Sequence, residues 1–338
     1  MIHVAINGFG RIGRRIFRLL QNHKYIKVVA INDLSDSKTL SHLLKYDSIH
    51  GIFPAEIKHG TNSIIVNHEF IPLLNKNHPK QINWEPFNVD FVIESTGKFK
   101  SIPDLDYHLI NGAKCVILSV PPLDSDIKTI VMGVNDSIID GTETIISNAS
   151  CTTNNAAPMI DVINKLCGID QAYITTVHSY TTDQSLHDQA HRDLRRARAA
   201  AQSIVPTTTG AAKALTKIFP ELSNVIGGCG IRVPVINGSL TDITFNVKQT
   251  VSINQINAAF KTASNNHYKN IIQYTEDPIV SIDIVGNTHS CIFDSLMTSV
   301  IGNMVKIIGW YDNETGYSQR IIDLLCNLSE KKCVLSVK

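Results

Sequence analysis

The sequence lacks the marks of several protein classes. Its seven cysteines are an odd number and include no Cys-x-x-Cys pair, so neither a disulfide framework nor a zinc ribbon is indicated. The histidines show no metal-ligand spacing, and no metal site is expected. No apolar run approaches the roughly 20 residues of a membrane span. A net charge of +1 gives no reason to expect nucleic acid or an anionic membrane as the main partner.

The amino terminus enters a strand directly and lacks the positive region and cleavage site of a secretory signal. The sequence therefore predicts a reduced, cytoplasmic protein. Hydrophobic residues make up 43% and charged residues 18% of the chain, as in ordinary globular proteins. A chain of 338 residues is long enough for two domains with separate cores.

The first 150 residues alternate short apolar runs with helical stretches. This pattern predicts an α/β domain with a parallel sheet covered on both faces. Strands are expected at 2–7, 27–32, 91–94, 114–119, 129–132 and 144–146, and helices at 11–21, 38–45 and 105–112. Later runs such as 239–247 alternate apolar and polar residues, which indicates a sheet with one solvated face. Further helices are expected at 153–166, 253–263 and 317–328, with a domain boundary just before Cys151.

A glycine-rich turn follows the first predicted strand. Gly8, Gly10 and Gly13 are spaced as in the dinucleotide-binding fingerprint and open a predicted helix. The first glycine allows the tight turn, the second lets the backbone approach a pyrophosphate, and the third permits close packing of helix on strand. Asp33 ends the next strand, where a carboxylate accepts hydrogen bonds from the adenosine ribose. The alternative is a simple glycine turn with an incidental Asp.

One cysteine stands where a strand gives way to a helix. Cys151 follows Ser150 and precedes Thr152, and a helix N-terminus pushes a thiol toward thiolate. His178, at the end of a strand-like run, supplies the base of a Cys–His pair for covalent catalysis. The competing interpretation is a small buried cysteine beside a helix cap.

With these residues in hand, the chain resembles the glyceraldehyde-3-phosphate dehydrogenase family, in its phosphorylating form, along essentially its whole length. The matching motifs are 6–14, 45–48, 147–154, 178–181, 193–201, 206–213, 232–234 and 310–314. The resemblance implies a Rossmann-type NAD(P)-binding domain over 1–150 and an α/β catalytic domain with a largely antiparallel sheet over 151–315. It also implies a C-terminal helix, 316–338, that docks back on the first domain, and a homotetramer.

The resemblance also implies roles for individual residues. Cys151 attacks the aldehyde of glyceraldehyde 3-phosphate, His178 accepts the thiol proton, and inorganic phosphate cleaves the resulting thioester to give 1,3-bisphosphoglycerate, in glycolysis or gluconeogenesis. The substrate phosphate is assigned to Thr181 and Arg232, and the inorganic phosphate to Ser150, Thr152, Thr209 and Gly210 with Arg196 nearby. The cofactor contacts are Gly8, Gly10, Arg11, Ile12, Gly13, Asp33, Ser119 and Asn313.

Several alternatives stay open at this point. Gln189 and Ala190 stand where NAD-specific members have Leu-Pro, so a 2′-phosphate would meet no proline, and Arg192 or Arg195 could face it. Asp33 opposes a 2′-phosphate by charge, and the sequence favours NAD while leaving NADP open. Erythrose-4-phosphate dehydrogenase is the nearest rival activity. A non-catalytic dinucleotide-binding protein is the second.

Overall fold

The computed structural model describes residues 1–336, with the side chains of residues 1–332. The described chain forms two compact units. The first contains residues 1–130 and 136–149 together with the chain from 318 onward. The second contains residues 131–135 and 150–317.

The first unit is built on a nine-stranded sheet. Its strands run in the order β10-β11-β9-β8-β1-β2-β7-β6-β5, and β3 and β4 form a separate two-stranded ribbon. The strands are β1 (Ile2–Asn7), β2 (Ile26–Asn32), β3 (Tyr46–Asp47), β4 (Gly51–Ile52), β5 (Ile57–Gly60), β6 (Ser63–Val66), β7 (Glu69–Leu74), β8 (Phe91–Glu94), β9 (Cys115–Leu118), β10 (Lys128–Thr129) and β11 (Ile145–Ser147). The helices are α1 (Arg11–Leu20), α2 (Ser37–Lys45) and α3 (Ile102–Ile110).

The expectation of a purely parallel sheet is wrong at one edge. The pairs from β10 to β7 are parallel, but β6 runs antiparallel to both β5 and β7. A two-residue turn at Asn67 and His68 makes the β6–β7 hairpin, and both residues have positive φ, 48° and 70°. Two such residues form the turn type that matches strand twist, but Asn-His is a weaker sequence signal for it than Asn-Gly.

The strands that carry the glycine turn are buried on both sides. Val4, Ala5 and Ile6 of β1 are fully buried, and one cluster on this sheet includes Trp84 and Val92. Continuous apolar strands are what a helix-covered parallel sheet requires. The polar residues at the carboxyl ends of these strands therefore stand on a fixed platform.

The second unit contains a sheet of order β13-β14-β12-β15-β19-β17-β16, with β18 paired to β19. The strands are β12 (Ile169–Ser179), β13 (Val205–Thr207), β14 (Ile226–Val233), β15 (Ser239–Val247), β16 (Ile272–Thr275), β17 (Cys291–Asp294), β18 (Ser299–Ile301) and β19 (Met304–Tyr311). The helices of this unit are α4 (Cys151–Cys167), α5 (Ala211–Ile218) and α6 (Ile253–Asn265). The last helix, α7 (Thr315–Ser336), begins at the end of the second unit and belongs to the first unit from residue 318 onward.

Most pairs in this second sheet are antiparallel, and only β12–β14 and β16–β17 are parallel. The predicted fold class, an α/β protein whose second sheet is largely antiparallel, is confirmed. Among the described helices, none is both long and apolar enough to cross a membrane.

Candidate active site

The candidate site centres on one thiol and one imidazole. Cys151 is the first residue of α4, and the Ser150 hydroxyl caps that helix by accepting from the Thr153 N–H at 3.2 Å. A serine in this position satisfies one of the free N–H groups of the first turn. The Cys151 Sγ lies 3.4 Å from Nε2 of His178. The predicted pair is therefore within reach for proton transfer.

The ring of His178 is held in one tautomer. Its Nδ1 lies 2.7 Å from the carbonyl oxygen of Ser179 and 3.0 Å from Nη1 of Arg232. The shorter contact is to an oxygen that can only accept, and Nη1 has that same oxygen as its own acceptor, so the tautomer that satisfies these contacts has its proton on Nδ1. The lone pair on Nε2 then faces the thiol. Burial, reinforced by the positive charge of Arg232, lowers the pKa of His178 to about 3. The imidazole is therefore neutral and able to accept a proton at neutral pH.

The thiol has surroundings that work against the expected thiolate. Burial raises the pKa of Cys151, while the charge of Arg232 and the Thr152 N–H at the helix start lower it. Because burial is the larger effect, the net shift of the Cys151 pKa is upward, opposite in direction to the push toward thiolate expected from the helix N-terminus. Nε2 of His178, at 3.4 Å, is the base within reach of the thiol proton.

Arg232 is brought to this pair by strand register. In the parallel β12–β14 pair, His178 and Arg232 are direct partners. Nη1 of Arg232 lies 3.0 Å from Nδ1 of His178, donates to the Ser179 carbonyl at 3.0 Å and reaches Oγ1 of Thr181 at 3.5 Å. A guanidinium and a hydroxyl therefore stand together, half-buried, beside the reactive sulfur, which suits an anionic group.

A buried chain of hydroxyls supports the other side of the pair. The hydroxyl of Tyr311 lies 2.9 Å from both the Thr152 and the Thr176 hydroxyls, and its ring packs edge-on against His178 with centroids 5.9 Å apart. Sequence reasoning missed Tyr311. It lies within the matching motif 310–314, directly before the Asp312-Asn313 turn, but that motif gave it no role of its own.

Arg196 has carboxylate partners that the sequence did not reveal. Nη1 forms a short ion pair with Asp183, and Nε lies 3.6 Å from the Asp193 carboxylate and donates to the Thr207 hydroxyl at 3.0 Å. The guanidinium still adds to the lowering of the His178 pKa. Arg196 is therefore near the pair, but much of its charge is matched by the two carboxylates.

The remaining predicted phosphate ligands lie at two helix starts. Ser150 and Thr152 are at the start of α4, whereas Gly210 is the residue before α5 and the Thr209 hydroxyl accepts from the Ala211 N–H at 3.2 Å. The α4 and α5 helices pack on each other. No described hydrogen bond joins Thr209 or Gly210 to Cys151, so their common anion site stays a prediction.

Asn313 is oriented by two serine hydroxyls. Oγ of Ser179 and Oγ of Ser239 both donate to its Oδ1, at 2.9 and 3.0 Å. The residue is 7% exposed. Two donors on one oxygen fix which way the amide faces, so Nδ2 points away from both serines.

In the first unit, the glycine turn has the geometry that the fingerprint requires. Gly8 has φ +93°, and a Cβ there would lie 2.7 Å from the Thr96 N. A Cβ on Gly13 would strike the Gly8 carbonyl oxygen, whereas one on Gly10 would meet nothing within 4 Å. Gly10 precedes α1, so open space lies directly before the helix N-terminus, where phosphate binds.

Asp33 is fixed at the carboxyl end of β2. One carboxylate oxygen accepts from the Phe9 N–H at 2.8 Å and the other from the Ser35 N–H at 2.9 Å. Arg11 forms a two-pronged ion pair with Asp47 at 2.7 and 3.0 Å, so its side chain is committed there. Its backbone, with Ile12, forms the first turn of α1.

A cavity of about 320 Å³ lies against this edge of the sheet, within the size range of small-molecule sites. Its walls include Asn7, Gly8, Gly10, Asn32, Asp33, Lys76, Asn77, Ser95, Thr96 and Lys98. Lys98 and Thr96 were missed by sequence reasoning. Ser119 is buried after β9, where its N–H donates to the Glu94 carbonyl at 3.0 Å, and it is not among the cavity's lining residues. The glycine turn, open helix start and fixed carboxylate fit a dinucleotide.

Among the described side chains, those of residues 1–332, no three His, Cys, Asp or Glu groups are placed so that they could hold a metal ion. The six described cysteines are all free thiols. Covalent chemistry in the described structure therefore centres on Cys151, the thiol with a base beside it.

Comparison with known proteins gives matches along the whole chain. Residues 2–102 match the model of the glyceraldehyde 3-phosphate dehydrogenase NAD-binding domain, and residues 150–313 match the model of its C-terminal domain. The chain is 48% identical over 333 residues to glyceraldehyde-3-phosphate dehydrogenase 1 of Bacillus cereus, covering 98% of this chain and 99% of that one. It is 51% identical over 326 residues to glyceraldehyde-3-phosphate dehydrogenase 2 of Streptomyces avermitilis, covering 96% and 97%. The Geobacillus stearothermophilus protein of the same name is 48% identical over 332 residues, covering 98% and 99%.

Proposed function

Because the chain belongs to the glyceraldehyde 3-phosphate dehydrogenase family, we propose that it oxidises D-glyceraldehyde 3-phosphate to 1,3-bisphosphoglycerate with NAD and inorganic phosphate. The observation that carries this proposal is the Cys151–His178 pair at 3.4 Å, with Arg232 against the same imidazole. A nucleophile, a base and a fixed cation at one point meet the needs of covalent aldehyde chemistry.

The chemistry begins with attack of the Cys151 sulfur on the aldehyde carbon. The S–H proton passes to Nε2 of His178, the C–S bond forms, and the carbonyl oxygen, protonated in turn by the imidazolium, becomes the hydroxyl of a thiohemiacetal. A dinucleotide held beside Gly8, Gly10, Gly13 and Asp33 would supply the acceptor for the hydride that leaves this carbon. The hydroxyl proton returns to Nε2 as the thioester forms.

Phosphate then completes the reaction. An oxygen of inorganic phosphate attacks the thioester carbon, the C–S bond breaks, and the leaving sulfur takes back the proton held on Nε2 of His178 as the acyl phosphate is released. Arg232 and Thr181 hold the phosphate already carried by the substrate. Ser150, Thr152, Thr209 and Gly210, with Arg196 nearby, receive the attacking phosphate, since hydroxyls and N–H groups at helix starts suit its oxygens.

The two units take separate tasks in this proposal. The first, with Gly8, Gly10, Gly13, Asp33 and the cavity beside them, holds the dinucleotide, and the second holds substrate and phosphate. Asn313 presents its amide to the nicotinamide carboxamide. The protein works in the cytoplasm as a homotetramer, in glycolysis or gluconeogenesis, with NADP as a weaker cofactor that Asp33 opposes by charge.

The test is an optical assay of NAD and NADP reduction with glyceraldehyde 3-phosphate, with and without inorganic phosphate. We expect turnover that depends on phosphate and is faster with NAD. The Cys151→Ser variant should bind NAD normally and show no turnover. Phosphate-independent turnover, or better turnover with erythrose 4-phosphate, would favour the rival enzyme, and no turnover would favour a non-catalytic dinucleotide-binding protein.

A further inference from the structure

A buried polar chain, which the proposed mechanism does not use, lies behind the dinucleotide cavity. It consists of Trp84, His108, Glu94, Asn7 and Asn32, with exposed fractions of 0, 0, 0, 1 and 4%. Asn7 and Asn32 also line the cavity. We propose that Glu94 is a positioning residue of the dinucleotide site, and that it sets the direction of the hydrogen bonds which hold two walls of the cavity.

Glu94 is a carboxylate surrounded by hydrogen-bond donors. Its Oε1 accepts from the Thr96 N–H at 2.9 Å and, in a short bond, from the Thr96 hydroxyl. Its Oε2 accepts from Nδ2 of Asn7 and lies 3.2 Å from Nε2 of His108. Four donors on two oxygens match an ionised carboxylate, which can only accept.

His108 is fixed as a neutral donor. Nε1 of Trp84, which can only donate, lies 3.0 Å from Nδ1 of His108. Nδ1 must therefore carry the lone pair, and Nε2 carries the proton that points to Glu94. The contact with Glu94 is a hydrogen bond from a neutral ring, so the negative charge has no formal counter-charge among these contacts and is met by donors alone.

The first branch from Glu94 reaches one cavity wall through two amides. Since Nδ2 of Asn7 points to Glu94, its Oδ1 faces the other way and accepts from Nδ2 of Asn32 at 2.7 Å. Asn32 then clamps the backbone of Lys76 at both ends, donating to its carbonyl at 2.9 Å and accepting from its N–H at 2.9 Å. Lys76 lines the cavity.

The second branch reaches another wall through Thr96. Because the Thr96 hydroxyl donates to Glu94, its oxygen accepts from the Lys98 N–H at 3.1 Å. Thr96 and Lys98 both line the cavity. One buried carboxylate thus fixes Thr96 and Lys98, which follow β8, and through two amides it also fixes Lys76, two residues past the end of β7.

The Glu94→Gln substitution tests whether donors and acceptors around position 94 must be arranged as they are, because it changes the side-chain volume very little. A glutamine offers one acceptor and one NH₂ group, so in either orientation it places an N–H against an N–H. In one orientation the new N–H faces the Thr96 N–H. In the other it faces Nδ2 of Asn7, and a turn of the Asn7 amide to avoid this would disturb its bond to Asn32 and, through Asn32, the bonds to Lys76. We expect the Kd and KM for NAD to rise roughly tenfold to a hundredfold, the range that follows from leaving a buried polar group unpaired. The effect should fall on KM for NAD rather than on kcat.

The double variant Glu94→Gln with Asn7→Asp is the rescue. It moves the carboxylate from position 94 to position 7, where the new carboxylate would accept from the introduced glutamine amide and from Asn32. The glutamine oxygen then keeps the Thr96 bonds. The mismatch that remains falls on His108, which is not among the residues lining the cavity. We expect the Kd for NAD to return to within about threefold of the wild type.

Val89→Ala is the matched control, because Val89 is buried in the same core cluster as Trp84, has no side-chain hydrogen bond to lose and does not line the cavity. This variant should lower the unfolding midpoint and leave the Kd for NAD within about twofold of the wild type. The control therefore shows whether a loss of packing in this part of the first unit is enough to weaken NAD binding, or whether the donor–acceptor pairing around Glu94 is required.

The measurement is calorimetric titration with NAD, together with thermal unfolding of each variant. This inference rests on the proposed function, and a wild-type protein that fails to bind NAD would overturn both. A wild type that binds NAD, with Glu94→Gln binding equally well, would overturn the positioning role alone. So would a double variant that folds but stays weak, or one that does not fold, since Glu94 would then serve the fold itself.

Discussion

The Sγ of Cys151 lies 3.4 Å from Nε2 of His178, although 27 residues separate them. The thiol is set by the start of α4 and the imidazole by the end of β12. Because the Nδ1 of His178 is committed to the Ser179 carbonyl, only Nε2 is available as a base. Catalysis in this proposal depends on that one lone pair.

Replacing His178 by Asn should lower kcat by roughly 10²- to 10⁴-fold, as expected for loss of a positioned base. The rate at which iodoacetamide alkylates Cys151 at neutral pH should fall as well, because the thiol loses its proton acceptor. His187→Asn, at an exposed position, is the control and should change neither rate. An unchanged alkylation rate in His178→Asn would contradict the activating role.

The stability of the protein should rise with pH between about 3 and 6.5 through His178. Burial lowers its pKa to about 3 in the folded state, whereas an unfolded histidine titrates near 6.5. In this window the unfolded chain binds a proton that the native ring does not, so acid favours unfolding. Urea unfolding at several pH values gives the free energy of unfolding as a function of pH. Between pH 3 and 6.5 this free energy should rise less steeply with pH for His178→Asn than for the wild type. An equal pH dependence of the unfolding free energy in the two proteins would show that the His178 ring takes up its proton without unfolding.

Replacing Arg232 by Gln should act on both substrate binding and titration. We expect KM for glyceraldehyde 3-phosphate to rise roughly tenfold to a hundredfold, since a charged hydrogen bond to phosphate is lost. The pKa of His178 should rise, because the Arg232 charge helps to lower it. Steady-state kinetics and the pH profile of Cys151 alkylation measure the two effects. Arg198→Gln, which removes an exposed ion pair with Asp188, is the control. A normal KM in Arg232→Gln would remove this residue from the phosphate site.

Replacing Asp33 by Ala should shift cofactor preference toward NADP. The carboxylate that opposes a 2′-phosphate is removed, and the N–H groups of Phe9 and Ser35 lose their acceptor. The Kd for NAD should therefore rise while that for NADP falls. Titration with both cofactors gives the ratio, and Asp126→Asn at an exposed position serves as the control. If the ratio of the Kd values for NAD and NADP stayed the same, Asp33 would not determine cofactor preference. Gln189 and Ala190 would then be the next positions to change.

The sequence by itself determined the features that depend on neighbours along the chain. The glycine turn predicted a strand, a tight turn and a helix start, and β1 and α1 lie where it placed them. The run around Cys151 predicted a thiol at the start of a helix, and α4 begins at Cys151 itself, two residues before the predicted start at 153. Such local signals are strong because a few backbone angles and one cap decide them.

Tertiary structure decided everything that depends on strand register and burial. Arg232 meets His178 only because β14 pairs with β12 in that register, and Tyr311 reaches Thr152 and Thr176 only through the order of strands in the sheet. The direction of the Cys151 and His178 pKa shifts follows from desolvation, which a linear sequence does not display. Glu94 ends a strand that reads as purely structural. Thr96, two residues further on, supplies two of the four donors around its carboxylate, and only tertiary packing brings the other two, from Asn7 and His108.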